Sequence, residues 1–276
     1  MKGTNKVEMY TEFLKIESII EKENFVIYGT GSVAKRFSKI IKEKGYWDNV
    51  SNYAVSSLQQ VEAYYDGKDI KEINEVSNDS IVMIAVHNIF IDEIIEKLKN
   101  LGFSRYFWVY PYLFDLSFGL PIERNVEIDV RSLVKGLKDV YLNPILYLAI
   151  ESALFNNTIG RDLYIKYMCI FCSEKAASKR WLDFVKRIHK YESGDAKQNY
   201  NIKLSNKLDI VIDGSHRLML AYYFNVDKII ADTYSCDMKR YIEFAENMLL
   251  NDEQLQKYFT QEEILLIKEV DLKLKA

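Results

Sequence analysis

Phe25-Val26-Ile27-Tyr28-Gly29-Thr30-Gly31-Ser32-Val33-Ala34 is the stretch that decides the fold of the first half of the chain. Four apolar residues read as a short strand. G-x-G-x-x-A follows, and Val33, Phe37, Ile40 and Ile41 then recur at helical spacing until Gly45. A strand, a glycine turn and a helix in that order open a dinucleotide-type βαβ unit. Gly29 permits the tight turn, Gly31 lets a diphosphate approach the backbone, and Ala34 allows the helix to pack closely. An acid should close the second strand to grip an adenosine ribose, but Ser56 and Ser57 stand there, and Asp48 precedes the strand. Three occupants are left open: a nicotinamide cofactor, another nucleotide or nucleotide-sugar, or none.

Outward from that turn the first half alternates. The pattern predicts a helix over residues 7–21, a strand over 52–56, a buried strand over 80–86, a helix over 89–101 ended by Gly102, and a strand over 106–110. Strands alternating with helices of about a dozen residues imply a parallel sheet covered by helices. His87 and Asn88 follow the buried strand at its carboxyl end, where open α/β sheets bind ligands. Residues 25–111 resemble a Rossmann-like domain often attached to bacterial surface-sugar enzymes, on Val26 through Gly31, the buried strand and Leu101-Gly102-Phe103.

Composition sets the frame. The 276 residues suffice for one large or two medium domains. Hydrophobic residues at 49% and charged ones at 28% are ordinary for a soluble protein, and a net charge of −3 recommends neither nucleic acid nor an anionic membrane as partner. No run of about 18 apolar residues predicts a membrane span, and the polar start lacks a secretory core. Three Cys make no disulfide framework, so the cytoplasm is the expected location.

Gly119 and Pro121 break the pattern over residues 118–127, and the boundary is set there: a Rossmann-like nucleotide-binding-type domain over 1–117 and a second, α+β domain over 118–276. Residues 129–155 read as mostly helical with an interruption at Asn143-Pro144, 161–171 as extended, and 178–191 as a helix. Residues 202–204 and 208–212 read as a hairpin, 218–224 as a helix closed by Asn225, 228–234 as a strand, and 238–274 as a helical tail holding a Thr260/Glu263 capping box.

Asp213-Gly214-Ser215-His216-Arg217 lies where the hairpin hands over to the 218–224 helix. Such a junction aims free backbone N–H groups and the positive helix end at one point, and His plus Arg there make a phosphate receptor. The Asp213 carboxylate beside it offers a base or a metal ligand. A structural alternative has Asp213 as N-cap, with His216 and Arg217 bonding Asp195 or another carboxylate.

Asp209 through Leu218, with Ala221, Asn225 and Ile229-Ile230, resembles the ParB and sulfiredoxin-like superfamily. The closest likeness is to ParB-like small-molecule kinases such as the free L-serine kinases, which carry D-G-x-H-R after a strand. The resemblance spans about 75 residues, from near Arg161 to Tyr234. It implies that His216 and Arg217 hold the phosphates of ATP or ADP, that Gly214 and Ser215 supply N–H groups, and that Asp213 assists the acceptor hydroxyl or Mg²⁺. Phosphoryl transfer is mainly positioning and charge neutralisation, which fits a cationic cradle with one carboxylate. A catalytic Glu is expected upstream. Glu174 is the first candidate, with Glu151 and Asp162 behind it. Sulfiredoxin chemistry needs a Cys where Ser215 stands, and the arginine-rich motif and basic helices of chromosome-partitioning proteins are absent.

The expected function is therefore a kinase acting on a hydroxyl of a sugar, polyol or amino acid, within surface-glycan biosynthesis. The alternative is a non-catalytic nucleotide or nucleotide-sugar binding protein in a polysaccharide biosynthesis complex. A homo-oligomer is left open. Cys169-Ile170-Phe171-Cys172 has C-x-x-C spacing without paired ligands elsewhere and reads as two buried thiols. His189, in a basic segment, reads as part of a solvated helix face.

Overall fold

The computed structural model describes residues 6–58, 64–137, 141–194, 201–245 and 250–276. The chain is α/β: a Rossmann-like unit, Met1–Gly119, is followed by an α+β unit, Leu120–Ala276.

The first unit runs α1 (Lys6–Lys22), β1 (Phe25–Tyr28), α2 (Ser32–Glu43), β2 (Val50–Val55), β3 (Tyr64–Tyr65), β4 (Lys68–Glu72), β5 (Ile81–Ile84), α3 (Ile91–Asn100), β6 (Tyr106–Trp108) and α4 (Leu113–Phe118). The sheet order is β3-β4-β2-β1-β5-β6, parallel throughout except for the β3/β4 pair. All four residues of β1 and of β5 are buried, as expected of central strands covered on both faces. Chain order reverses between β1 and β5, so the carboxyl ends of these two strands form the topological switch point. The hairpin β3/β4 is not anticipated by periodicity, because β4 reads Lys-Asp-Ile-Lys-Glu and only Ile70 turns inward.

The second unit runs β7 (Glu123–Asp129), α5 (Val130–Gly136), α6 (Leu142–Phe155), α7 (Ile159–Cys169), α8 (Glu174–Glu192), β8 (Ile202–Ser205), β9 (Val211–Asp213), α9 (Ser215–Tyr223), β10 (Lys228–Tyr234), α10 (Met238–Ala245), α11 (Asp252–Tyr258) and α12 (Gln261–Lys275). Its sheet order is β7-β10-β8-β9, with β10 parallel to β8 and the other pairs antiparallel. One core joins α5 to α9, β8, β10 and the last two helices around Ile145, Leu146, Leu163, Phe184, Leu218 and Ile267. Each such side chain contributes about 1.5–3 kcal/mol on leaving water.

Three expectations are corrected here. Residues 161–171 are not extended. They lie largely in α7, whose buried Leu163, Tyr164, Tyr167 and Met168 recur at helical spacing. The stretch is rich in aromatic and branched residues, and packing overrides that strand preference. Gly160 permits it: a Cβ there would stand 1.9 Å from the Leu148 carbonyl oxygen, so only glycine lets α7 start against α6. Second, the segment assigned to the domain break holds the start of β7, an edge strand whose Glu123, Arg124, Glu127 and Asp129 disguise it. Third, the interruption expected around Asn143-Pro144 falls just before it, between the end of α5 at Gly136 and the start of α6 at Leu142. Pro144 falls in the first turn of α6, where its missing N–H leaves no bond unmade.

Candidate functional site

Gly214 carries the geometry of the junction. It is the N-cap of α9 with φ +106°, a conformation glycine adopts without strain. A Cβ there would come within 2.6 Å of Ile202 Cγ2 and 3.1 Å of Arg217 Nη2. Asp213 is therefore not the N-cap. Among the described residues no side chain caps α9, and its first turn holds no acid, so its N-terminal N–H groups and positive end face no carboxylate of their own turn. Ser215, His216 and Arg217 form that first turn rather than preceding it.

Arg217 is held on two sides. Nη1 donates to the Asn201 carbonyl at 3.1 Å and Nη2 to Asp213 Oδ2 at 3.2 Å. Its side chain is 22% exposed against 47% for Asp213, so the carboxylate is the more open of the pair. Asn201 is itself tied down: its amide donates to Asp232 at 2.6 Å and to Asn125 at 3.0 Å, and the Asn125 N–H also reaches Asp232. Asp195, the alternative partner, lies outside the described residues.

His216 is half-buried, with its ring set edge-on to Phe184 at 4.8 Å and to Tyr164 at 5.8 Å. Nε2 shares a hydrogen bond with the Tyr164 hydroxyl at 3.1 Å. Burial, reinforced by the charges of Arg187, Arg180 and Arg217, pulls the imidazole down to about 3. The ring is therefore neutral at physiological pH and offers a hydrogen bond, not a charge. Burial pushes the Tyr164 phenol up to about 12, against the pull of Arg180 and Arg187.

Those two arginines are functional candidates that motif reading missed. Arg180 and Arg187 lie on α8 four residues before and three after Phe184, on the helix face that carries it. Both are exposed, and neither has a hydrogen bond or ion pair among the described residues. The detectable signal was their spacing about Phe184 on a helix already predicted.

The other expected residues are not assembled with the junction. Glu174 is the exposed first residue of α8, ten positions and roughly 15 Å of helix axis before Phe184. The charge of Glu151 acts on Tyr147 and Tyr223, and Tyr223 ends α9, far from its first turn. Asp162 is exposed in the first turn of α7. Among the described residues no three His, Cys, Asp or Glu side chains come together to hold a metal ion. Asp213 thus supplies one carboxylate, which suffices only for an ion that phosphates also carry. The thiols depart from expectation: Cys169 is exposed at the end of α7, and Cys172 is partly buried with its Sγ 3.2 Å from the Met168 carbonyl oxygen. His189 is exposed and bonded to Glu192, as a solvated face requires.

The first unit holds a second junction of the same kind. Gly29 has φ +111°, and a Cβ there would stand 3.0 Å from the Ala85 carbonyl oxygen. Gly31 is the N-cap of α2, again without a side-chain cap or a first-turn acid. At the end of β2, where a ribose-gripping acid would sit, the Ser56 hydroxyl is 2.5 Å from the Tyr28 hydroxyl, and the Ser56 carbonyl accepts from Lys97. His87 leans on Tyr110 with its Nε2 3.2 Å from the phenol oxygen, and Trp108 donates to the Val86 carbonyl.

No helix among the described residues is long and apolar enough to cross a membrane. Set against protein-family models, curated proteins and solved structures, the chain matches none of them.

Proposed function

We propose that the second unit is a receptor for a phosphate-bearing small molecule, seated at the first turn of α9. The observation that supports this best is electrostatic. A glycine-capped helix N-terminus with no acid in its first turn is surrounded by the charges of Arg180, Arg187 and Arg217, and only Arg217 has a carboxylate partner among the described residues. Such a place favours an anion with several acceptor oxygens. Neutral His216 adds a hydrogen-bonding group without a charge.

A nucleotide is the ligand class to test first. Titration of the full chain with ADP and ATP by calorimetry is expected to give saturable binding that weakens as salt rises, because the contacts are charge-assisted. Heat signals no larger than dilution for every phosphate ligand sink the proposal.

Phosphoryl transfer from ATP or ADP to a hydroxyl of a sugar, polyol or amino acid is the second reading, favoured by the open Asp213 carboxylate beside the cationic turn. Asp213 would then accept the hydroxyl proton or share Mg²⁺ with the phosphates, and a role in surface-glycan assembly would supply the acceptor. Phosphorus NMR of the protein with ATP or ADP, Mg²⁺ and a pool of sugars and amino acids separates the two: a new phosphoester peak marks a kinase, binding without one a nucleotide or nucleotide-sugar sensor.

A further inference from the structure

We infer that Arg180 and Arg187, which lie outside the pentapeptide, are the main cationic contacts of the ligand, and that they select a chain of two or more phosphates over a single one. This rests on the phosphate-receptor proposal above.

Arg217 is committed to the fold. One end of its guanidinium is spent on the Asn201 carbonyl and the other on Asp213, which offsets its charge. The Asp232–Asn201–Asn125 network fixes the start of β8 from which that carbonyl projects. Arg217 is thus a positioning residue: it locks β8 and the end of β9 to the first turn of α9. The free positive charge at the junction comes from elsewhere.

Arg180 and Arg187 supply it. Neither is paired among the described residues, and the acid between them, Asp183, is turned to Lys186 at 3.6 Å. They straddle Phe184, whose ring touches His216. Seven residues of α-helix separate their Cα atoms by roughly 10.5 Å along the axis. Two like charges so spaced repel less when each takes its own phosphate than when both crowd onto one. A guanidinium also binds phosphate best through two parallel N–H bonds, which uses up one face of a phosphate per arginine. The first-turn N–H groups of α9 and the neutral imidazole then serve the bridging region between the two ends. A diphosphate or longer chain matches both the spread and the charge of this arrangement.

The test uses the full chain and three inorganic probes at fixed low ionic strength: phosphate, pyrophosphate and tripolyphosphate. Pyrophosphate is expected to bind about tenfold or more tightly than phosphate. R180A and R187A, both exposed substitutions, are each expected to keep the wild-type melting temperature and to lose about tenfold in pyrophosphate affinity. Phosphate affinity is expected to fall far less in either variant. R217A is expected to lower the melting temperature, as a lock on the fold should. Equal affinity for phosphate and pyrophosphate overturns the inference, and so does a double variant R180A/R187A that binds pyrophosphate like the wild type. If none of the three probes binds, the receptor proposal itself fails and takes this inference with it.

Discussion

The two strand–glycine–helix junctions of this protein use one backbone device in two electrostatic settings. Gly29 and Gly214 adopt nearly the same left-handed conformation, at φ +111° and +106°. Each lies so close to a neighbouring segment that a side chain would collide, and the helix that follows starts from a glycine N-cap, Gly31 or Gly214, with no acid in its first turn. Around the first, the hydroxyls of Tyr28 at the end of β1 and Ser56 after β2 bond each other, and Lys97 rests on the Ser56 carbonyl. Around the second, three guanidinium charges act on one ring. Backbone shape alone thus leaves a glycine-started helix N-terminus in both units. On the receptor proposal, the arginines of α8 are what set the second apart.

The largest expected effect probes the shared device. Gly214→Ala should cost about 2–4 kcal/mol in stability, from backbone strain and overlap with Ile202. Gly29→Ala should cost about 1–3 kcal/mol, since its nearest contact is looser. Urea unfolding of both variants measures this, and a larger loss for Gly29→Ala would invert the order. Next comes ligand protection. Pyrophosphate at a hundred times its dissociation constant should stabilise the protein by about 2.7 kcal/mol. Amide exchange should slow at Ser215, His216 and Arg217 while Gly31, Ser32 and Val33 exchange as before. Equal slowing at both junctions would erase the contrast.

Smaller per pH unit is the effect of acid. The folded-state value of His216 lies below its unfolded one, so the unfolded chain binds the extra proton first. The stability that depends on a neutral ring is intact above about 6.5 and drains away as pH falls towards about 3. The slope from this one group is at most about 1.4 kcal/mol per pH unit. His216→Gln should flatten the acid limb of the stability profile relative to wild type, and parallel limbs would show that the ring is charged in the fold. The smallest effect belongs to the neutral junction. Tyr28→Phe removes the bond to Ser56 and should cost about 0.5–1.5 kcal/mol with no change in pyrophosphate affinity. A change in affinity would mean that the first unit takes part in phosphate binding.

Much of the framework is legible from residue order, and the misses have a common cause. β1 and β10 fall where the pattern places them, Asn225 closes α9 with φ +55°, and Thr260 with Glu263 forms the capping box that opens α12. These are local matters, set by apolar spacing and by side chains that bond their own backbone. β7 and β4 were hidden because strands bearing many charges show little alternation. α7 was mistaken for an extended stretch because its helical state depends on a close approach to α6 that only Gly160 allows.

By itself the order of residues placed a glycine turn between a strand and a helix in each unit, because glycine tolerates turns that side chains resist. The charge state and the partners at those turns were decided only in three dimensions. Packing of Phe184 and Tyr164 against His216 makes the imidazole neutral, the Asn201 carbonyl and Asp213 engage Arg217, and the charges of Arg180 and Arg187 on α8 act on the His216 ring. Burial and long-range charge act through space, so they depend on contacts between segments far apart in the chain.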